Sequence, residues 1–222
     1  MKKVTVSLVV ATLVSTGLYA ESMLSEVEVS ANAAMTSNYV WRGMTQSDDS
    51  PAIQGGFDLE YKGLYVGTWG SNVNFKNNPD ASMELDLYGG YKNEISGIAY
   101  DIGYIQYAYP NDSKALNFGE AYLGLSYDFE VVEVSAKYSL GIESDDVDPE
   151  NAYEGSISVP LPMEISIDAT VGNYENIGIF YSAGVTKTYK KFDFTVAYSG
   201  MDYEASGADG ENNVIATISK SF

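Results

Sequence analysis

The stretch IQGGFDLEY, residues 53–61, alternates between two kinds of side chain. Its odd positions are apolar apart from one glycine, and its even positions are polar apart from another: Ile53, Gly55, Phe57, Leu59 and Tyr61 against Gln54, Gly56, Asp58 and Glu60. A period of two predicts a β-strand with one apolar and one polar face. The turn at residues 61–63 is too short for anything but an antiparallel return, whereas the preceding connection, residues 44–50, is longer and carries two aspartates. We therefore predict hairpins with short turns, joined by longer loops.

The same pattern continues to the carboxyl terminus. We expect about twelve strands, with connections that alternate between long and short, at residues 29–43, 53–61, 64–75, 83–91, 98–109, 120–128, 132–140, 153–159, 164–171, 177–189, 191–199 and 214–222. In the fifth strand, 98–109, both faces carry large apolar residues, so its register stays open. A soluble β-sandwich uses the same period, but it has no reason to alternate loop lengths. The predicted fold is therefore all-β, a transmembrane antiparallel up-and-down β-barrel in residues 21–222.

The first twenty residues, MKKVTVSLVVATLVSTGLYA, place two lysines before an apolar run and end in alanine, which predicts a secretory signal peptide. No later segment reaches the roughly 18 consecutive apolar residues of a spanning helix. Any membrane span is therefore made of strands, and a closed barrel pairs all their backbone groups.

Three segments in the first half of the chain resemble the TorF-like porin family of Gram-negative outer membranes. They are SNYVWRG at 37–43, QGGFDLEY at 54–61 and GLYVGTWGSN at 63–72. The resemblance implies an outer-membrane barrel in contact with the lipid bilayer and lipopolysaccharide. The terminal Phe222 resembles the signal read by the outer-membrane insertion machinery, although Lys220 stands where that signal usually has an apolar residue.

The composition excludes several classes of function. The formal charge of −19 argues against nucleic-acid binding, which needs cations to neutralise phosphates. The chain has no histidine and no cysteine, so it has no Ser-His-Asp triad, no imidazole or thiolate metal site and no disulfide. Carboxylate pairs such as Glu84 with Asp86, or Glu164 with Asp168, could act as acid and base, but a chance pairing is favoured among so many acids. We predict no enzyme and no cofactor.

Two acidic loops leave metal binding open. They offer hard oxygen ligands that suit calcium or magnesium: Asp145, Asp146, Asp148 and Glu150, and Asp202, Glu204, Asp209 and Glu211. Neither has the spacing of an EF-hand. A solvated loop is favoured, and a calcium-bridged contact to lipopolysaccharide phosphates is the alternative.

If the polar faces turn inward, they line a pore. The predicted lining residues are Arg42, Asp58, Glu60, Glu84, Asp86, Glu120, Glu133, Lys137, Glu154, Glu164, Asp168 and Asp193. Because acid rings favour cations, we predict a narrow, cation-preferring conduit for small solutes. The alternatives are a plugged interior, or a non-conducting outer-membrane or secreted β protein that binds a ligand or surface through its acidic loops.

Aromatic residues near the strand ends predict the interfacial girdles of a barrel. They are Tyr39, Trp41, Tyr61, Tyr65, Tyr91, Tyr107, Tyr109, Tyr127, Tyr153 and Tyr189.

Overall fold

A computed structural model describes residues 27–222 except 77, 79, 145, 146 and 206. The predicted signal peptide, residues 1–20, lies outside the described residues. The elements are β1 Glu28–Thr36, β2 Val40–Trp41, β3 Met44–Thr45, β4 Ala52–Tyr61, β5 Leu64–Asn72, β6 Met83–Ile95, β7 Ile98–Ala108, α1 Ser113–Leu116, β8 Phe118–Asp128, β9 Glu133–Ile142, β10 Ala152–Leu161, β11 Ile165–Tyr174, β12 Gly178–Tyr189, β13 Phe192–Tyr203 and β14 Glu211–Ser221. In the described part of the chain, no helix has the length and apolar character needed to cross a membrane.

Twelve of the strands form one closed antiparallel barrel, in the order β1, β14, β13, β12, β11, β10, β9, β8, β7, β6, β5, β4. The first and last strands close it, with Asn32 opposite Ser221 and Thr36 opposite Thr217. The predicted fold class and strand number are confirmed. The predicted first strand, 29–43, is wrong at its end, because the chain leaves the barrel wall after Thr36 and forms the small β2–β3 hairpin.

Short turns close one end of the barrel, at residues 62–63, 96–97, 129–132, 162–164 and 190–191. Lys62 and Gly63, at φ 52° and 88°, and Lys190 and Lys191, at φ 51° and 66°, have positive φ at both central positions, as two-residue type I′ turns require. The other end carries the connections 37–51, 73–82, 109–117, 143–151, 175–177 and 204–210. Loop lengths therefore alternate as predicted, except that residues 175–177 make a short link at the long-loop end.

The apolar faces of the strands point outward and the polar faces point inward. Ile53 is 70% exposed and Val214 is 74% exposed, whereas Asp58 is 3% exposed on the alternate face. In a soluble sandwich the apolar faces would cover one another, so this arrangement fits a barrel surrounded by lipid.

The two-residue alternation of the sequence does not show which face of β5 and β7 lies inside the barrel. In β5, Leu64 and Val66 are exposed outside while Tyr65 is buried inside. In β7, Ile98 and Ile102 are exposed outside and Tyr107 is buried, which settles the open register of this strand.

The predicted aromatic girdles are only partly present. Tyr127, Tyr153 and Tyr189 are exposed on the outer face near strand ends. The assignment is wrong for four tyrosines that are buried inside: Tyr39, Tyr65, Tyr107 and Tyr109. Their position near a strand end fits a girdle, but their parity or their loop turns them inward.

Candidate functional site

The β2–β3 hairpin folds into the barrel and contacts the wall at β8, β13 and β14. Trp41 pairs with Met44, and the two residues between them, Arg42 and Gly43, have φ 46° and 79°. Positive φ at both positions gives a type I′ turn, in which a glycine is favoured. The tip of the hairpin contacts strands on different sides of the barrel.

Arg42 anchors the tip to β8. Its two terminal nitrogens donate to Glu120 Oε1 at 2.6 Å and Oε2 at 2.9 Å. The Arg42 side chain is 6% exposed and that of Glu120 is 0% exposed. The guanidinium carbon also lies 4.4 Å from the ring centroid of Trp41 and 4.9 Å from that of Tyr174. A bidentate, charge-assisted pair with two ring contacts fixes the position of the hairpin.

The opposite side of the hairpin contacts β13 and β14. A Cβ added to Gly43 would lie 2.0 Å from the carbonyl oxygen of Gly200, so the two backbones touch. Asn213 Nδ2 donates to the Gly43 oxygen at 3.3 Å, and the Thr45 nitrogen donates to Glu211 Oε2 at 2.8 Å. The hairpin therefore bridges the interior from β8 to β13 and β14.

Two tyrosines hold a carboxylate beside the hairpin. Tyr39 and Tyr109 donate to Glu84 at 2.8 and 2.7 Å, and the Tyr39 ring packs edge-on against Trp69 at 5.4 Å. Burial and the Glu84 carboxylate raise the pKa of both phenols, so both stay protonated and act as donors.

Open space remains on both sides of the hairpin. Towards the long loops lies a cavity of about 270 Å³, lined largely by aromatic and apolar side chains. Beneath the tip lies a second cavity of about 380 Å³. Its walls include Trp41, Arg42, Gly43, Tyr107, Lys137, Glu154, Thr170, Phe180, Ser182, Ala197, Ser199 and Ile215. The hairpin narrows the interior without filling it.

The wall formed by β10–β14 and β1 is rich in hydroxyl groups. Oxygen–oxygen distances of 2.8 to 2.9 Å join three cross-strand pairs, Ser156 with Thr170, Thr186 with Thr195, and Thr36 with Thr217. These groups add uncharged polar side chains to a wall that also carries Glu154, Asp168 and Asp193.

The predicted lining residues fall into three groups. Asp58, Glu84, Asp86 and Glu120 are buried, and the Arg42 side chain is 6% exposed. Six are half-buried on the inward parity of their strands: Glu60, Glu133, Lys137, Glu154, Asp168 and Asp193. The last, Glu164, was placed wrongly on a strand: it lies in the turn between β10 and β11 at φ 57°, with its side chain 71% exposed.

Several of these charges have partners within the wall. Lys92 Nζ lies 2.6 Å from Glu60 Oε2. Asp168 accepts hydrogen bonds from two serine hydroxyls, at 2.6 and 2.9 Å, and Asp193 accepts one from Thr188. Asp58 and Asp86 are 3% and 5% exposed, so they are covered rather than open to the interior.

The sequence did not identify a second polar network inside the barrel. Tyr65 donates to Asp101 at 2.6 Å and also bonds the hydroxyl of Tyr122. The Lys137 ammonium lies 5.1 Å from the centroid of the Tyr122 ring. The parity of β8 could have indicated Tyr122, because it shares a strand face with Glu120, but β5 has no acidic residue that marks the face of Tyr65.

Metal binding by the acidic loops is not supported by the described residues. Among them, no three acidic side chains lie close enough together to hold a metal ion. Residues 145 and 146 of the first predicted loop lie outside that part of the structure.

A closed barrel with an apolar outer surface and a polar interior defines a transmembrane β-barrel protein. The chain belongs to a bacterial protein family of unknown function, Gcw_chp, whose model matches residues 20–222. That description does not carry the TorF-like label, which stays a prediction. No curated protein matches the sequence.

Solved structures of several outer-membrane proteins share the fold at low sequence identity. The KdgM porin has a TM-score of 0.61 at 10% identity, covering 87% of this chain and 98% of its own. The NanC porin has a TM-score of 0.59 at 10% identity, covering 86% and 98%. An active-site mutant of outer membrane phospholipase A from Escherichia coli has a TM-score of 0.55 at 13% identity, covering 86% and 88%. At such identities the likeness establishes the fold.

Proposed function

We propose that this protein is an outer-membrane, porin-like channel that passes small solutes passively. The observation that carries the proposal is the open cavity of about 380 Å³ beneath the hairpin tip, whose lining combines charged, hydroxyl and apolar side chains. It lies inside a closed barrel whose outer face is apolar, and the porin fold of KdgM and NanC is consistent with this role.

The proposed orientation places the short turns in the periplasm and the long loops outside, as in other outer-membrane barrels. After export by its signal peptide, the chain would be inserted by the outer-membrane machinery, with the long loops near lipopolysaccharide. The terminal Phe222 is joined to β1, since its nitrogen donates to the Ala31 oxygen at 2.9 Å. The Lys220 ammonium lies 4.5 Å from the Phe222 ring centroid and 5.3 Å from that of Phe192. A lysine can lie at this interface because its charged end reaches the headgroups.

The proposed cation preference is modest. The acid-rich interior favours cations, but Glu120, Glu60 and Glu84 are bonded to an arginine, a lysine and two phenols. A KdgM structure contains oligogalacturonate, a polyanion. The predominance of acids in this interior gives no support for a polyanionic solute here.

Enzymatic activity has little chemical support. One neighbour in fold is a phospholipase, but the present sequence contains no histidine. A histidine general base is therefore unavailable.

Single-channel recording in planar bilayers tests the proposal. Heat-modifiable migration first establishes that the refolded protein is folded. The protein should then give discrete current steps, and in a KCl gradient the sign of its reversal potential should correspond to a modest preference for cations. A variant in which a short glycine linker replaces residues 40–45 should conduct more.

A second candidate, a non-conducting barrel with a fixed plug, is favoured by the hairpin contacts across the interior. If the wild type gives no current steps and the linker variant does, the plug is established and the channel is refuted. Silence of both folded proteins would also refute the channel.

A further inference from the structure

We propose that Lys137 and Glu154 form the charge filter of the conduit and select small zwitterionic solutes of the amino-acid type. This inference rests on the proposed channel function and specifies its solute.

The two residues form a cross-strand pair that faces the interior. Glu154 of β10 lies directly opposite Lys137 of β9, and both border the cavity beneath the hairpin tip. Directly opposite residues on antiparallel strands have Cα atoms about 4.5–5.5 Å apart. A negative and a positive side chain therefore start from neighbouring points on the same wall.

Their charged ends are not joined to one another. Within the described residues, no hydrogen bond or ion pair reaches the Glu154 carboxylate, and Lys137 lies over the Tyr122 ring at 5.1 Å. The third charge bordering this cavity, Arg42, is already bonded by both terminal nitrogens to Glu120. Lys137 and Glu154 are thus the pair of opposite charges here that a solute can engage.

The hairpin directs solutes towards this pair. Trp41 packs against Tyr107 at 5.8 Å and Phe118 at 6.0 Å, which narrows the interior beside β7 and β8. The cavity beneath the tip extends along β9 to β14, where its wall carries the hydroxyls of Ser182 and Ser199. A passing solute therefore meets charges of both signs on one wall and hydroxyl groups on the next.

An α-amino acid fits this arrangement chemically. Its ammonium can bond Glu154 while its carboxylate bonds Lys137, because its own charges are separated by a few ångströms. A simple anion gains only the lysine and is repelled by the surrounding acids. A simple cation gains only Glu154 and meets Lys137 beside it.

Proteoliposome swelling with two solutes of equal size tests the filter. L-alanine is zwitterionic, and lactamide has the same number of heavy atoms but no charge. We expect wild-type liposomes to swell about fivefold faster with alanine, the ratio that corresponds to one partly exposed ion pair. Glu154→Gln and Lys137→Met should each abolish the preference, so that each variant swells at the same rate with alanine as with lactamide.

Charge-conserving and distant variants serve as controls. Glu154→Asp and Lys137→Arg should keep the preference, and so should Glu60→Gln, which lies away from this cavity. Equal wild-type rates with alanine and lactamide, or a preference that survives both charge-removing variants, would refute the filter and leave the channel intact. Absence of swelling with either solute would refute the channel and the filter together.

Discussion

Replacing Arg42 with methionine should detach the hairpin tip, because it leaves a buried carboxylate without its cation. The Glu120 side chain is 0% exposed and receives both terminal nitrogens of Arg42. Removing one partner of a buried ion pair costs about 3–5 kcal/mol. Loss of the contacts to Trp41 and Tyr174 adds about 1–2 kcal/mol. A total of about 4–7 kcal/mol is comparable with the stability of a whole domain, so local release of the hairpin is the expected outcome.

Two measurements check this expectation: unitary conductance in planar bilayers and urea unfolding followed by heat-modifiable migration. Arg42→Met should raise the conductance and lower the free energy of unfolding, whereas Arg42→Met with Glu120→Met should recover much of the lost stability. Lys92→Met is the matched control, because the side chains of Lys92 and Glu60 are 36% and 26% exposed. Loss of this partly exposed ion pair should lower the free energy of unfolding by only about 0–1 kcal/mol. A stability loss below about 1 kcal/mol with unchanged conductance in Arg42→Met would show that this pair does not hold the hairpin.

Three further variants probe the turn, the outer face and the buried phenols. Gly43→Ala should displace the hairpin and lower the thermal midpoint far more than Gly207→Ala. Both glycines have positive φ, but the new Cβ would lie 2.0 Å from the Gly200 oxygen in the first variant and would have nothing within 4 Å in the second. Equal shifts of the midpoint would contradict this. Leu123→Arg, midway along β8, should lower the free energy of unfolding in lipid by about 2–4 kcal/mol, whereas Val131→Arg, in a turn, should lower it by about 0–1 kcal/mol. Similar losses in the two variants would argue against a lipid-facing band. The two tyrosines that donate to Glu84 have a raised pKa, so their contribution is complete below about pH 10 and is lost as the pH rises further. Unfolding measured from neutral to alkaline pH should therefore show a shallower alkaline loss when both are phenylalanine, and an unchanged slope would contradict the assignment.

The barrel could be predicted because its wall repeats one local rule. Alternation such as Phe57, Asp58, Leu59 and Glu60 needs no knowledge of distant residues, and loop length gave the up-and-down order. Closure then followed from the even count of strands.

The interior could not be predicted from the same rule. The two-residue alternation groups residues by face but does not say which face lies inside, so Tyr65 was assigned to the interfacial girdle although it is buried inside. The pairing of Arg42 with Glu120 joins residues 78 positions apart, and no local pattern encodes it. Glu164 was misplaced because its positive φ belongs to the turn geometry rather than to the alternation.

The hairpin emerges from the first strand of the barrel, yet the groups that hold its far side belong to the last two, through Gly200, Glu211 and Asn213. Those partners are synthesised long after the hairpin, in the last two strands of the barrel wall. During assembly in the membrane, the hairpin therefore lacks half of its support until the final strand has docked against the first. Control over what crosses the barrel is acquired last, so an arrested, unclosed barrel is expected to leak.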